Sequence, residues 1–107
     1  MLPRSSRLRN AATIRRVLAE GRGTASPHFA LFCRASAGKQ ARGAVIVSRK
    51  VARQATRRNR LRRRLYEALR LAFVEKGGVE CVVVARKEAL EAPFSQLERG
   101  IRQALQP

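Results

Sequence analysis

A chain of 107 residues is one domain's worth, with no room for a separate catalytic domain beside a folded core. Hydrophobic residues make up 45% of it, which fits a globular protein and not a disordered tail, and no apolar run approaches the roughly 20 residues of a membrane span. Lys and Arg number 24 against 7 acidic residues, a net charge of +17. Such a field draws polyanions, nucleic acid first and anionic membrane second.

In chain order, residues 1–7 read as a basic, mobile arm. No apolar stretch follows it, so it does not read as a secretory signal, and a cytoplasmic protein is expected. Asn10 is placed to cap a helix over residues 11–20, with Ile14, Val17 and Leu18 at helical spacing. Gly21 and Gly23 stop it, and residues 21–27 read as a loop. Residues 28–34 predict a strand. Phe29, Leu31 and Cys33 fall on one face, Ala30, Phe32 and Arg34 on the other. Residues 36–41 suggest a hairpin connection to a second strand over 43–48. A basic lead-in, 49–56, precedes a long helix over 56–76 that Gly77-Gly78 would end. Residues 79–85 are apolar except for Glu80, as expected of a buried strand. Pro93 opens a last helix to about 106, with Phe94, Leu97, Ile101 and Leu105 at helical spacing. The order α-β-β-α-β-α implies one α/β domain, residues 1–107, with helices packed on a sheet.

The long helix carries the strongest signal. On a wheel of about 100° per residue, Leu61, Leu65, Ala68, Leu69 and Ala72 form a core stripe. Asn59, Arg60, Arg63, Tyr66, Glu67 and Arg70 lie opposite, with Arg62 and Arg64 flanking the stripe. Between residues 49 and 64 the basic residues are Arg49, Lys50, Arg53, Arg57, Arg58, Arg60, Arg62, Arg63 and Arg64. An ordinary solvated face would be laced with i,i+4 ion pairs, but this stretch holds no carboxylate at all. So many like charges on a few turns are tolerable where an anion neutralises them. Arginine suits a phosphate because its planar fork binds bidentately and stacks. The helix N-terminus adds partial positive charge and free N–H groups at the same end. Aromatic residues, the usual stacking platforms for single strands, are few. Phe32 and Tyr66 are the candidates, and Phe32 suits a core equally well.

Catalytic chemistry is poorly supplied. The chain has no aspartate, its glutamates are scattered over different elements, and His28 is the sole histidine. Nuclease chemistry needs a carboxylate cluster for metals or a His-based acid–base pair. Cys33 and Cys81 have no metal-site spacing and read as reduced, buried thiols. Any catalysis must come from a partner.

The stretch Val47-Ser48-Arg49-Lys50-Val51, then Ala55-Thr56-Arg57-Arg58-Asn59-Arg60-Leu61-Arg62-Arg63, resembles the signature of the bacterial ribonuclease P protein component. So do Phe29-Ala30-Leu31-Phe32 and the strand ending Ala85-Arg86-Lys87. The resemblance implies a two-layer sandwich with a left-handed βαβ crossover, like ribosomal protein S5 domain 2. It also implies a subunit of an endoribonuclease whose catalytic RNA removes the 5′ leader of precursor tRNA with magnesium ions, held mainly by that RNA. Catalytic RNA and precursor tRNA would be the partners, with neither DNA nor membrane involved and no catalytic residue on the protein. By matching position, the RNA-binding set would be Arg49, Lys50, Arg53, Arg57, Arg58, Asn59, Arg60, Arg62, Arg63 and Tyr66. A cleft lined by Ile14, Leu18, Ala30 and Phe32 would take the leader. Ile14 and Leu18 stand where the family usually has phenylalanines, Ala52 where it has glycine, and Tyr66 where it has a further arginine. Charge alone would also suit a small basic ribosomal or other RNA-binding protein.

Overall fold

The computed structural model describes residues 2–106, apart from the side chain of residue 75. Its regular elements are α1 (Ala11–Glu20), β1 (Arg22–Ala25), β2 (Phe29–Ala35), β3 (Arg42–Ile46), α2 (Ala55–Ala72), β4 (Val79–Ala85) and α3 (Phe94–Leu105), with short 3-10 turns at Arg4–Ser6, Phe73–Glu75 and Lys87–Ala89. One four-stranded sheet runs in the order β1-β2-β4-β3. β1 and β2 are antiparallel, as are β2 and β4, while β3 and β4 are parallel and joined through α2.

β4 owes its central place to its composition. Cys81, Val82 and Val83 are fully buried, so both faces of the strand are covered. That insertion corrects the expected hairpin: the 36–41 connection carries the chain past β4, and β2 and β3 never pair. Gly77 and Gly78 serve this crossing more than they end a helix. A Cβ on Gly77 would sit 2.5 Å from the Lys39 carbonyl, and Gly78 takes φ +65° while its carbonyl accepts from the Ser36 amide. α2 itself ends at Ala72, before a 3-10 turn. Residues 21–27 are not all loop either, because Arg22–Ala25 pairs with β2 as an edge strand, exposed throughout.

Alternating residues give the sheet two apolar faces, and helices cover both. Leu61, Leu65 and Leu69 of α2 and Leu97 and Ile101 of α3 are fully buried, or nearly so, against Phe29, Leu31, Cys81 and Val83. Each such side chain contributes about 1.5–3 kcal/mol by leaving water. On the opposite face α1 lays Val17 onto Ala44 and Val82. Its start is fixed as expected: the Asn10 side-chain oxygen accepts from the Ala12 and Thr13 amides at 2.8 and 3.4 Å.

Residues 2–7, expected within a basic mobile arm, pack onto the fold. Leu2 is buried in the α2/α3 core, Arg7 bridges Gly43 of β3, and the Leu8 amide donates to the Gly43 carbonyl at 2.8 Å. The segment packs down because β3 would otherwise be a bare sheet edge. Among the described residues no helix is long and apolar enough to cross a membrane.

Candidate nucleic-acid interface

The basic lead-in folds as an anchored turn. Val47 and Val51 are buried, and the Val51 amide donates to the Ser48 carbonyl at 3.1 Å. Arg49 and Lys50 are thereby left exposed at the tip. Beyond them α2 begins, and Arg58 reaches back along the chain. Its guanidinium donates to the carbonyls of Ala52 and Arg53 at 3.0 and 2.7 Å, fastening the lead-in to the first turns of α2.

A groove of about 1160 Å³ opens here, walled on one side by Arg49, Lys50, Arg53, Arg57 and Arg58 and on the other by Lys87, Leu90 and Glu91. The second wall follows β4 and is anchored by the fully buried Ala89. Two ties hold the walls together: Arg57 donates to the Glu91 carboxylate at 3.3 Å, and Arg64 to the Ala92 carbonyl at 2.5 Å. Lys87 and Glu91 were not singled out from sequence. Lys87 follows the Ala85-Arg86 end of β4, where alternation along the strand stops, so only the fold aims it.

The expected binding set therefore divides. The side chains of Arg49, Lys50, Arg53, Arg60 and Arg63 are exposed and make no ion pair or hydrogen bond among the described residues. Arg62 donates to the Asn59 amide oxygen at 2.5 Å, one turn away on the same face. Arg57, Arg58 and Arg64 spend part of their donor capacity on the protein. Like charges thus converge on the N-terminal half of α2 with Glu91 as the nearby counter-charge, and that potential favours phosphate.

Tyr66 is turned away from this face and into the fold. It packs half-buried against the main core, its hydroxyl accepts from the Val45 amide at 3.3 Å, and the Arg7 guanidinium lies 4.9 Å from its ring centroid. Tyr66, expected on the RNA face, here has its hydroxyl and ring engaged within the fold. The ring seals the edge of β3, a demand no helical wheel contains. Farther along α2, Arg70 pairs with Glu67 and holds its carboxyl down at about 2.

The second expected surface lies between α1 and the sheet. Ile14, Leu18 and Phe32 are half-buried around Val17 and Val82, together with Ile46 and Val84. Ala30 stands in the same cross-strand row as Val84 and Ile46. The Phe32 ring lies over Gly23, where an added Cβ would come within 3.1 Å of it. Phe32 thus packs and stays partly open at once. Ile46 and Val84, missed from sequence, are legible from alternation with the buried Ala44 and Val82.

The family model for ribonuclease P matches residues 2–107. A ribonuclease P protein component from Chloroflexus aurantiacus is 39% identical over 100 residues, covering 92% of this chain and 73% of that protein. One from Xanthomonas campestris is 38% identical over 95 residues, 89% of this chain and 64% of that protein. The RNase P protein from Thermotoga maritima superposes with a TM-score of 0.80 at 27% identity, covering 92% of this chain and 94% of that one. With its fold and nearly its whole length in agreement, the chain belongs to the ribonuclease P protein family.

Proposed function

We propose that the groove at the start of α2 grips the catalytic RNA of ribonuclease P, while the cleft between α1 and the sheet takes the 5′ leader of precursor tRNA. Membership of the family makes the chain a subunit of an endoribonuclease that matures tRNA. The observation that carries the assignment of surfaces is the set of five unpartnered cations, Arg49, Lys50, Arg53, Arg60 and Arg63, around one helix start. Counterion release on phosphate binding makes such a set favourable for RNA of any sequence. The apolar strip of Ile14, Leu18, Phe32, Ile46 and Val84 suits unpaired bases better than a duplex, because only splayed bases offer flat apolar faces.

Chemistry is assigned to the RNA and its magnesium ions. The protein's share is to position RNA and screen charge. A protein with this task works in the cytoplasm, with precursor tRNA.

Reconstitution with the matching catalytic RNA tests the proposal. At low magnesium the chain should raise the rate of leader removal, and it should do so more for precursor tRNA with a leader of several nucleotides than for one with a single nucleotide. No enhancement would refute the assignment. Enhancement independent of leader length would remove the cleft from it.

A further inference from the structure

Cys33 and Cys81 are the two thiols of the chain and lie opposite each other on neighbouring antiparallel strands, β2 and β4. Their sulfurs are 2.8 Å apart, both thiols being free. Directly paired residues of an antiparallel ladder have Cα atoms about 4.5–5.5 Å apart, inside the range a disulfide spans. Side-chain rotation alone can bring the sulfurs to bonding distance.

The two thiols differ in access. Cys81 is fully buried. Cys33 is half-buried and opens on a groove of about 480 Å³ beside the end of α3, where Arg22, Arg34 and Lys76 also line the wall. Arg22, directly paired with Cys33 across the β1/β2 ladder, is the cation that favours the Cys33 thiolate, the reactive form. The contact with Cys81 and the charge of Arg22 lower the Cys33 pKa, while the same contact and burial raise that of Cys81. Arg34, the next residue along β2, is paired with Glu80 and Glu20 on the other face and adds nothing to the activation of Cys33.

We propose that Cys33 and Cys81 form an oxidisable dithiol, in which a peroxide attacks from the basic groove at Cys33 and Cys81 closes an intrachain disulfide. The Cys33 thiolate attacks one oxygen of hydrogen peroxide. An S–O bond forms, the O–O bond breaks, and the departing hydroxide takes a proton to leave as water. Cys81 sulfur then attacks the Cys33 sulfenic acid, the S–O bond breaks, and the Cys81 proton leaves with the oxygen as a second water. Two thiols have lost two electrons and the peroxide has gained them.

The bond would close a loop that contains β3, the lead-in and all of α2. The pair sits at the start of β4, whereas the RNA groove lies beyond its end, so an RNA on α2 leaves the oxidant's entry open. The oxidised chain is therefore cross-linked around its RNA-binding helix without any binding residue being altered.

The test exposes the folded full-length chain to hydrogen peroxide, followed by denaturation, alkylation and peptide mapping. The expected product is a monomer two hydrogens lighter, with the peptides of Cys33 and Cys81 joined and neither alkylated, fully reversed by dithiothreitol. The Cys81→Ala variant should instead leave Cys33 as a sulfenic acid trapped by dimedone. In Cys33→Ala, Cys81 should stay unreacted while the chain is folded. Cys33 driven to sulfinic acid in the wild type with Cys81 still a free thiol would overturn the proposal. So would disulfides between chains, or equal reactivity of the two thiols. The wild-type map decides the matter even where a variant folds poorly.

Discussion

The hydroxyl of Tyr66 accepts a hydrogen bond from the main-chain amide of Val45, 3.3 Å away, and so ties the middle of α2 to the open edge of β3. Arg7 completes the seal by stacking on the Tyr66 ring while its Nε donates to the Leu2 carbonyl. Tyr66→Phe should cost about 1 kcal/mol, the net worth of one hydrogen bond with a buried donor left behind. Tyr66→Ala should cost more, since the ring and the Arg7 contact go with it. Urea unfolding measures both. A loss of RNA affinity in Tyr66→Phe with stability unchanged would return Tyr66 to the RNA face.

Arg60 and Arg63 are exposed and unpartnered, whereas Arg58 is fastened to two carbonyls. Arg60→Ala or Arg63→Ala should flatten the dependence of log K on log salt by roughly 0.7–0.9 each while stability stays within about 0.5 kcal/mol. Arg58→Ala should do the reverse, costing about 1–3 kcal/mol because the Ala52 and Arg53 carbonyls lose a charged donor, with less change in salt slope. Binding isotherms across a salt series, paired with unfolding curves, separate the two behaviours.

Glu91 is the carboxylate in the groove and sits 3.3 Å from Arg57 with 88% of its side chain exposed. An exposed pair of this kind adds about 0–1 kcal/mol to stability, so its removal is cheap. Glu91→Gln frees Arg57 and deletes a negative charge from the surface proposed to face RNA. Affinity at low salt should rise up to about fivefold, the equivalent of about 1 kcal/mol, and the gain should fade as salt is added. Weaker binding would mean that Glu91 positions Arg57 rather than competing with phosphate.

Glu67 titrates at about 2 in the folded chain, against an ordinary value near 4.5, chiefly because Arg70 donates to its carboxylate. A lowered folded-state value means that the contribution is complete above about pH 4.5 and is lost as pH falls through about 2. Wild-type stability should therefore decline across that window by more than that of Glu67→Gln, which has no carboxylate to protonate. Unfolding midpoints measured from pH 5 to pH 2 would show the two curves converging. Parallel curves would exclude the Glu67–Arg70 pair as a source of acid sensitivity.

Local pattern was enough for a good part of this protein. The Asn10 cap, the bounds of α1, the buried stripe of Leu61, Leu65, Ala68 and Leu69, and the apolar run of β4 all follow from residue type and spacing over a few turns. The charge block and the motif around Arg57 to Arg63 were equally legible, because uncompensated charge and a signature are properties of the chain itself. Tertiary structure decided the rest, wherever the partner is distant in sequence. β1 has no buried face to give it a pattern and exists through its ladder to β2. β4 separates β2 from β3 because a strand buried on both faces must lie inside the sheet. Tyr66 faces inward because Val45 and Arg7 wait there, and Leu2 is buried because the edge of β3 needs a cover. Which arginines remain free for RNA depends on carbonyls and carboxylates that only folding brings near: Ala92 lies 28 residues from Arg64, and Glu91 lies 34 from Arg57. Periodicity records which way a side chain points from its own helix, and says nothing of what the rest of the chain places in front of it.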